Sequence, residues 1–269
     1  MASPSSTTSS RSRTSTTQAE LVDFAEGMGP FLEPAPGRSL RITDSFALSS
    51  DFGNTWAQVE RVRLRENELA QAIADVDAFM HESGPERASW WLTERSTPRE
   101  DAFLAAGLQR LEEDYLFAAM VLTSEPPAAE GIEVRQVETL DEYVESRRLA
   151  LAAFADPRQR KPTDEDLAAE WAHSVDPIFV AWVDGRMAST GRAIYTRAGG
   201  YLLGGSTAEW ARGRGAYRAV VRARWDEAVR RGTPALVVGA GPMSRPILER
   251  LGFEQVLEFR RLESVRSAG

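Results

Sequence analysis

The stretch from residue 178 to residue 207 places the strongest constraint on how this chain can fold. It reads IFVAWV-DGR-MASTGRAIYT-RAGG-YLLGGST, three apolar runs separated by Asp-Gly and Gly-Gly dipeptides. Apolar runs rich in branched and aromatic residues predict strands, and these dipeptides are typical of tight hairpin turns. The sequence therefore predicts a three-stranded antiparallel meander whose third strand runs directly into the next segment.

That next segment, EWARGRGAYRAVV at residues 209–221, places two glycines and two arginines before an amphipathic helix. Glycine lets backbone amides approach a ligand, and the N-terminus of a helix attracts anions. Arg212 and Arg214 add guanidinium groups, which suit phosphate oxygens. The segment matches neither the G-x-G-x-x-G dinucleotide fingerprint nor a Walker loop. Two interpretations are open at this point: a turn that begins a helix, and a cradle for a phosphorylated ligand.

The other elements follow from periodicity, capping signals and turn residues. In the C-terminal half we expect strands at 131–137, 235–240 and 253–263, and helices at 139–154, 163–174, 216–232 and 244–252. In the N-terminal half we expect helices at 67–84 and 98–107, a strand at 88–94 and strand material at 108–122. Prolines at 126 and 127 mark residues 123–131 as a linker. The Ser/Thr-rich residues 1–19 predict a disordered tail.

Composition narrows the function classes. The 269 residues carry a formal net charge of −8, which argues against nucleic-acid binding, and no apolar run is long enough to span a bilayer. There is no cysteine, and His81 and His173 have no metal-ligand spacing, so we expect no metal site. The Arg-rich leader is similar to a transit peptide but has no apolar face. We expect a cytoplasmic protein, and the near absence of lysine suggests a G+C-rich bacterial genome.

The run STAEWARGRGAYRAVVRARWDEAVRRG, followed by LERLGFE, resembles the GCN5-related N-acetyltransferases (GNAT). Their signature is Gln or Arg, two residues, Gly, one residue, then Gly or Ala, at the start of a helix. Arg212 and Gly215 match this signature, whereas Tyr217 departs from its final small position. The order of predicted elements matches that family over about residues 131–263. The resemblance implies an α/β (α+β) fold, a mixed sheet flanked by helices.

The N-terminal half looks like a truncated second copy of the same arrangement. Gly84 and Gly107 are 23 residues apart, and Gly232 and Gly252 are 20 apart, each pair enclosing a strand and a short helix. Chance similarity between two such units is the alternative. We therefore expect a degenerate GNAT-like half at 20–122 and an acetyltransferase domain at 132–269. The N-terminal half could wall the acceptor site, form a homodimer, or stabilise the C-terminal domain.

The resemblance implies direct transfer of an acetyl group from acetyl-CoA, as co-substrate, to the amine of a small molecule. The pyrophosphate would bind the turn and the start of the helix, and the pantetheine arm would pair with the preceding strand, whose backbone can polarise the thioester. The implied cofactor-binding residues are Gly205, Ser206, Thr207, Arg212, Gly213, Arg214, Gly215, Ala216, Tyr217, Arg218 and Ser244, the last being equally explained as a helix N-cap.

No catalytic side chain can be assigned. The family often has a tyrosine that protonates the thiolate and an asparagine that contacts the cofactor, but those positions hold Leu248 and Gly241. Glu209 and His173 are candidate bases, and each is equally explained as a solvent-exposed or structural residue. The basic loop at 156–162 could favour an acidic acceptor or be an ordinary charged loop. The alternative to an enzyme is therefore a non-catalytic acyl-CoA-binding or regulatory module with this fold.

Overall fold

The structure, a computed structural model, describes residues 16–110, 116–153 and 160–267. The α-helices in these ranges are α1 (Gln18–Glu26), α2 (Leu69–Ser83), α3 (Glu100–Ala105), α4 (Leu140–Ala153), α5 (Asp164–His173), α6 (Ala216–Arg230) and α7 (Arg245–Glu249). The strands are β1 (Arg38–Ile42), β2 (Ala47–Asp51), β3 (Trp56–Glu60), β4 (Arg87–Leu92), β5 (Gln109–Arg110), β6 (Leu116–Leu122), β7 (Glu133–Gln136), β8 (Ile178–Val183), β9 (Arg186–Thr196), β10 (Gly199–Thr207), β11 (Leu236–Ala240) and β12 (Glu254–Val265).

These strands form one mixed sheet. Its order is β1-β2-β3-β4-β12-β6-β11-β10-β9-β8-β7, with β5 pairing with β12. Two neighbouring pairs, β3 with β4 and β10 with β11, are parallel, and the rest are antiparallel. The expected mixed sheet flanked by helices is confirmed.

The predicted meander is present as β8, β9 and β10, with one correction at its second turn. Asp184 and Gly185 both have positive φ, 51° and 71°, as a type I′ hairpin requires. The second turn is formed by residues 197 and 198, and not by the Gly-Gly dipeptide. Gly199 and Gly200 already belong to β10, where a Cβ on Gly199 would lie 2.7 Å from the Ala235 carbonyl oxygen. These glycines therefore serve close packing of β10 on β11.

The predicted capping residues form their bonds. The Thr163 hydroxyl accepts from the Asp166 amide (3.2 Å) and begins α5. The Thr139 hydroxyl accepts from the Glu142 amide (3.3 Å), although the Glu142 carboxylate accepts from Glu138 rather than from Thr139. Helices α4 and α5 therefore begin where local side-chain chemistry predicts.

The N-terminal residues contain structure that the sequence patterns did not indicate. Helix α1 begins at Gln18, so residues 18 and 19 are helical rather than part of the predicted tail; residues 1–15 lie outside the described ranges. Residues 38–60 form β1, β2 and β3, of which β2 buries Ser49 and Ser50. A strand with polar residues on both faces lacks the alternation by which strands are recognised.

Two helical layers cover the sheet. Helices α1, α4 and α5 pack on one face through Phe24, Tyr143 and Leu167. Helices α2, α3, α6 and α7 pack on the opposite face. Neighbouring residues of one strand reach different layers, since Tyr201 packs with α1 and Leu202 packs with α6. None of the described helices is long and apolar enough to cross a membrane.

The order of elements is the same in the two halves from their first meander onward. An antiparallel meander, a long helix, a parallel strand, a short helix and a last strand follow one another twice along the chain. The last strand of each half pairs with the other half: β6 lies against β11, β12 lies against β4, and β6 and β12 pair with each other. The described residues therefore build a single continuous sheet.

Candidate functional site

A cleft opens where the parallel strands β10 and β11 separate. They pair only at Gly200, Tyr201 and Leu202, although β10 continues to Thr207. The pairing of β10 with β9 is irregular between residues 203 and 206, and Gly204 within this bulge has φ of 58°. Bulges free backbone groups from the ladder and bend the strand. The bulged strand therefore offers backbone groups to a ligand that enters the cleft.

The turn after β10 leads into α6 through two glycines in the left-handed conformation. Gly213 and Gly215 have φ of 76° and 87°, and a Cβ on Gly213 would meet no atom within 4 Å. Gly215 is the N-cap of α6 and has no side chain to cap the helix. The backbone N–H groups in the first turn of α6 have no acceptor within the helix, so they are free to bind an anion.

The charges around this turn favour an anion. Among the described residues, Arg212 and Arg218 form no ion pair, whereas Arg214 pairs with Asp184 (2.8 Å). The Arg218 side chain folds back toward the turn, with its Nη2 3.4 Å from where a Cβ of Gly215 would lie. Guanidinium groups and helix amides together are typical of phosphate sites. The predicted residues 212–218 are thus adjacent; Arg212, Gly213, Arg214 and Arg218 are exposed, whereas Ala216 is buried.

The predicted strand residues lie beside this turn. The Tyr217 ring packs on Gly205, because a Cβ there would be 2.8 Å from the Tyr217 Cε2. The departure of Tyr217 from the small residue of the family signature is therefore accommodated by a glycine opposite. Ser206 is buried and its hydroxyl has no hydrogen-bond partner among the described residues. Its carbonyl and the Thr207 hydroxyl both contact the Ser189 hydroxyl, at 2.7 and 3.1 Å.

The β11–α7 connection carries the other predicted position. Ser244 occupies the N-cap position of α7, but its hydroxyl makes no capping bond and instead donates to the Gly241 carbonyl (3.2 Å). Leu248 is 1% exposed and packs in the core. A Cβ on Gly241 would lie 3.4 Å from the Phe117 ring. Neither position offers a proton donor.

The two candidate bases lie on the surface. Glu209 is exposed in the short turn after β10. His173 ends α5; its Nδ1 lies 2.8 Å from the Ala169 carbonyl, and its ring stacks on Phe52 at 4.2 Å between centroids. Tyr195 donates its hydroxyl to the Arg224 carbonyl (2.8 Å), and burial raises its pKa. The described contacts give these three residues structural or solvent-exposed surroundings.

Sequence reasoning missed Arg224, a fully buried arginine on α6. It is 0% exposed and makes no ion pair among the described residues. Its Nε and Nη1 donate to the carbonyls of Val220 (3.2 Å) and Arg192 (3.3 Å), while its Nη2 has no hydrogen-bond partner in the described chain. Burial lowers its pKa, partly offset by the oxygens of Tyr217 and Tyr195. The guanidinium therefore binds the backbone of β9 at Arg192, next to the irregular part of the β9–β10 pairing.

A second cleft lies on the α4 face of the sheet, next to the bulge. Its lining includes Ser146 and Arg147 from α4, Thr190 and Arg192 from β9, and Leu203 and Gly204 from β10. Because it reaches Gly204, it adjoins the place where β10 leaves β11. The two charged side chains in this lining are both arginines.

The N-terminal half contacts a residue that lines this cleft. Asp51, the last residue of β2, accepts from Arg192 (2.8 Å) and from Arg38 (2.9 Å), and it is not itself part of the lining. Burial by itself would raise the pKa of Asp51, but Arg192 and Arg38 lower it. The following residues Phe52 and Gly53 touch α5. These contacts favour a supporting role for the N-terminal half behind this cleft, and the pairing of β6 with β11 and β12 favours stabilisation of the C-terminal domain.

The two remaining predictions concern metals and the basic loop. The described residues contain no cluster of three or more ligating side chains that could hold a metal ion. Most of the loop at 156–162 lies outside the described residues; within its described part, Arg160 pairs with Asp166 (2.8 Å).

The comparisons with known proteins identify the fold. Neither the profiles of known protein families nor the curated protein sequences gave a match. Solved structures do match, over nearly the whole chain. A GCN5-related N-acetyltransferase from Kribbella flavida has a TM-score of 0.61 and 15% identity, with 93% of this chain and 96% of that chain covered.

Two further structures agree. A tandem GNAT protein from the clavulanic acid biosynthesis pathway has a TM-score of 0.55 and 14% identity, covering 93% of this chain and 89% of that one. A GCN5-related N-acetyltransferase from Sphaerobacter thermophilus has a TM-score of 0.55 and 14% identity, covering 86% of this chain and 84% of that one. The chain has the GNAT fold, as the resemblance in its sequence predicted.

Proposed function

We propose that this protein is an N-acetyltransferase that moves an acetyl group from acetyl-CoA to the amine of a small molecule. The observation that carries the proposal is the joining of the β10–β11 cleft to an open, arginine-rich turn at the start of α6. An elongated ligand with a pyrophosphate at one end and an acyl thioester at the other fits this combination. The GNAT fold supports the same reaction class.

The proposed contacts follow the path of the cleft. The phosphates bind the free amides of α6 and the arginines of the turn, and the pantetheine arm pairs with the open edge of β10. The proposed residues are Gly205, Ser206, Thr207, Arg212, Gly213, Arg214, Gly215, Ala216, Tyr217, Arg218 and Ser244. The unpartnered Ser206 hydroxyl and the open space at Gly213 support this assignment.

The reaction is a direct transfer. The amine nitrogen attacks the thioester carbonyl carbon, the C–S bond breaks, and the proton lost by the amine ends on the departing sulfur. Backbone amides of the β10 bulge would stabilise the negative charge on the carbonyl oxygen. No side chain is assigned as acid or base, because Leu248 and Gly241 offer none and positioning supplies much of the rate in such reactions.

A charge reversal at Arg218 tests the cradle. Arg218→Glu places an acid in the first turn of α6, which favours the helix but repels phosphate. We expect the Kd for acetyl-CoA to weaken at least tenfold (about 1.4 kcal/mol) in calorimetric titration, with an unchanged circular dichroism spectrum. The matched control is Arg250→Glu, which makes the same charge change at an exposed arginine after α7. Absence of acetyl-CoA binding by the wild type would overturn the proposal.

A second candidate function is a non-catalytic acyl-CoA-binding or regulatory module. It is favoured by Leu248, a core residue at the position of the family's proton donor. Tight acetyl-CoA binding without thiol release in the presence of any amine would support this module, whereas turnover with an amine would support the enzyme.

We also propose that the N-terminal half, residues 20–122, is a truncated copy of the C-terminal domain, residues 132–269, joined through residues 123–131. The repeated order of elements supports this interpretation. The chain enters α2 differently from α6: a short 3-10 turn at Glu66–Glu68 comes first, and there the Glu68 carboxylate accepts from the Arg65 amide (2.8 Å) and pairs with the Arg65 side chain. The cytoplasmic location, the bacterial origin and the lack of nucleic-acid partners remain predictions from composition.

A further inference from the structure

We propose that the acceptor amine carries an acidic group, a carboxylate or phosphate, which Arg147 and Arg192 bind in the cleft beside Gly204, and that Asp51 positions Arg192 for this contact. The inference rests on the proposed function for the reaction, but the anion site itself does not depend on it.

The first step is the chemistry of the lining. The charged groups that line this cleft are the guanidinium groups of Arg147 and Arg192, each about 30% exposed. Thr190 and Ser146 add hydroxyls, of which the Ser146 hydroxyl already donates to the Tyr143 carbonyl (2.8 Å). Arginine offers five N–H donors and no acceptor. The charged part of the lining is therefore donor-only and suits an anion.

The second step is the placement of the carboxylates. Each arginine is bonded by a carboxylate that is absent from the lining: Arg147 by Glu170 (2.9 Å) and Arg192 by Asp51 (2.8 Å). Glu170 also accepts from the Tyr143 hydroxyl (3.0 Å). A cationic acceptor, such as a polyamine, would need these carboxylates to face the cleft. Instead they hold the arginines in place, and among the described residues no second carboxylate pairs with the remaining N–H groups of either arginine.

The third step is the link to the N-terminal half. Asp51 is shared between Arg192 and Arg38, and Arg38 is fixed in turn by Asp176 (2.6 Å). Gly53 packs on the Glu170 side chain, since a Cβ on Gly53 would lie 2.6 Å from the Glu170 Cγ. The tip of the β2–β3 hairpin thus touches the carboxylates behind both arginines. Preorganised side chains bind more tightly because less conformational freedom is lost.

The fourth step is the position of this cleft relative to the bulge of β10. Gly204 belongs to both the lining of this cleft and the bulge of β10. An acceptor anchored by its acidic group at the arginines would present its amine toward the bulge, where the thioester carbonyl is proposed to lie. The acidic group therefore sets both selectivity and orientation.

One arm of the test measures the anion site without acetyl-CoA. In the Arg212→Glu/Arg218→Glu variant, which disables the cradle, inorganic phosphate is titrated and followed by phosphorus NMR line width. We expect saturable phosphate binding that weakens at least tenfold when Arg192→Gln or Asp51→Asn is added. The control is Asp44→Asn, the same change in the exposed connection at the other end of the β1–β2 hairpin. Phosphate binding that is absent, or indifferent to Arg192, would overturn the site.

The other arm measures selectivity through release of free thiol. The acceptors are 4-aminobutyrate and phosphoethanolamine, their counterparts without an acidic group, butylamine and ethanolamine, and the dication putrescine. We expect kcat/KM at least tenfold higher for an acidic amine than for its counterpart without the acidic group. Asp51→Asn should reduce this ratio at least fivefold through KM, while the Kd for acetyl-CoA stays unchanged; a merely structural role would not alter the ratio.

The outcomes separate the two proposals. Phosphate binding that depends on Arg192, together with no binding of acetyl-CoA, would overturn the proposed acetyltransferase activity and support the anion site. Faster acetylation of putrescine, butylamine or ethanolamine than of the acidic amines would support the acetyltransferase activity and overturn this inference. A preference for phosphoethanolamine over 4-aminobutyrate, or the reverse, identifies which acidic group the arginines take.

Discussion

At the scale of single residues, Arg224 is the least expected feature of the fold. It stands in the core between α6 and β9 with no carboxylate partner among the described residues, and burial lowers its pKa. A buried charge is costly unless hydrogen bonds compensate for lost hydration. Here two carbonyls compensate in part, and one of them, that of Arg192, lies where the β9–β10 register shifts.

Space for this guanidinium is created by Gly191. A Cβ on Gly191 would lie 2.8 Å from the Arg224 Nη1, so Gly191→Ala should force the arginine out of its position. We expect a loss of about 1–3 kcal/mol in the free energy of unfolding, as for other overpacked core sites. Chemical denaturation of the purified variant measures this loss.

The control is a double-mutant cycle with Arg224→Met, which shortens the side chain and removes its charge. We expect Gly191→Ala to cost at least about 0.5 kcal/mol less in the Arg224→Met background than in the wild type. Additive effects would show that Gly191 is required for some reason other than Arg224.

The sequence contained a signal for Arg224, but a weak one. Ala216, Val220, Arg224 and Ala228 follow one another at intervals of four, so the arginine stands in an apolar row of α6. Arginine on a helix normally lies in solvent, so its residue type predicts an exposed side chain, whereas its place in the apolar row predicts a buried one. The sequence interpretation followed the residue type. The turn residues 212–218 were recognisable because glycine spacing is a local property.

At the scale of elements, helix α1 is tied to the N-terminal strands by buried acids. Glu26 at the end of α1 accepts from Arg63 (2.6 Å) and from the Thr93 hydroxyl (3.1 Å). Glu60 at the end of β3 accepts from the Gly29 amide (2.9 Å) in the turn after α1. Burial raises the pKa of Glu60 to about 7, and the nearby Glu26 charge adds to this shift.

This raised pKa predicts how stability depends on pH. The unfolded chain releases the Glu60 proton near 4.5, whereas the folded chain keeps it until about 7. Between these values the folded state binds more protons, so the free energy of unfolding should fall as pH rises, by up to about 1.4 kcal/mol per pH unit from this group. Urea denaturation of the wild type across this interval measures the slope.

The matched variant is Glu60→Gln, which stays neutral and can still accept from the Gly29 amide. We expect the difference in stability between variant and wild type to shift in favour of Gln as pH rises from about 4.5 to about 7 and to be constant above that. A difference that is constant with pH would mean that Glu60 ionises normally in the folded chain.

Elements were predictable from sequence where their signals are local. The three strands of the meander, α5 with its Thr163 cap and the short α7 were predicted, although the second turn of the meander lies at residues 197–198 and Ser244 does not cap α7. Strands β1 to β3 were not predicted, because β2 carries Ser49 and Ser50 where a core strand normally carries apolar residues. These segments form strands because they pair with neighbouring strands, and a short stretch of sequence contains no information about its pairing partners.

At the scale of the whole molecule, the candidate site also depends on contacts between distant parts of the chain. Arg192 and Asp51 are 141 positions apart, and Arg38 and Asp176 are 138 apart. The residues proposed to bind the cofactor could be named from the sequence because most of them are consecutive. Those proposed to bind the acceptor could not, because the N-terminal half reaches them through a hairpin that carries no local motif.

The exchange of last strands makes the two halves interdependent. Strand β6 pairs with β11 at five positions from Leu236 to Ala240, on the other side of the linker. It also pairs with β12. Removing residues before the linker would leave β11 and β12 without the strand between them, and exposed strand edges of this kind aggregate. The halves should therefore be stable only together.

Cleavage of the linker tests this interdependence. A site for a specific protease is inserted between Ala128 and Ala129, which lie in irregular backbone between β6 and β7. After cleavage we expect both fragments to elute together in size-exclusion chromatography and to unfold in one cooperative transition, because β6 remains between β11 and β12. Denaturant should separate the fragments, which confirms that cleavage was complete. Fragments that part under native conditions, each retaining its secondary structure by circular dichroism, would show that the halves are independent domains and that the strand exchange contributes little to their association.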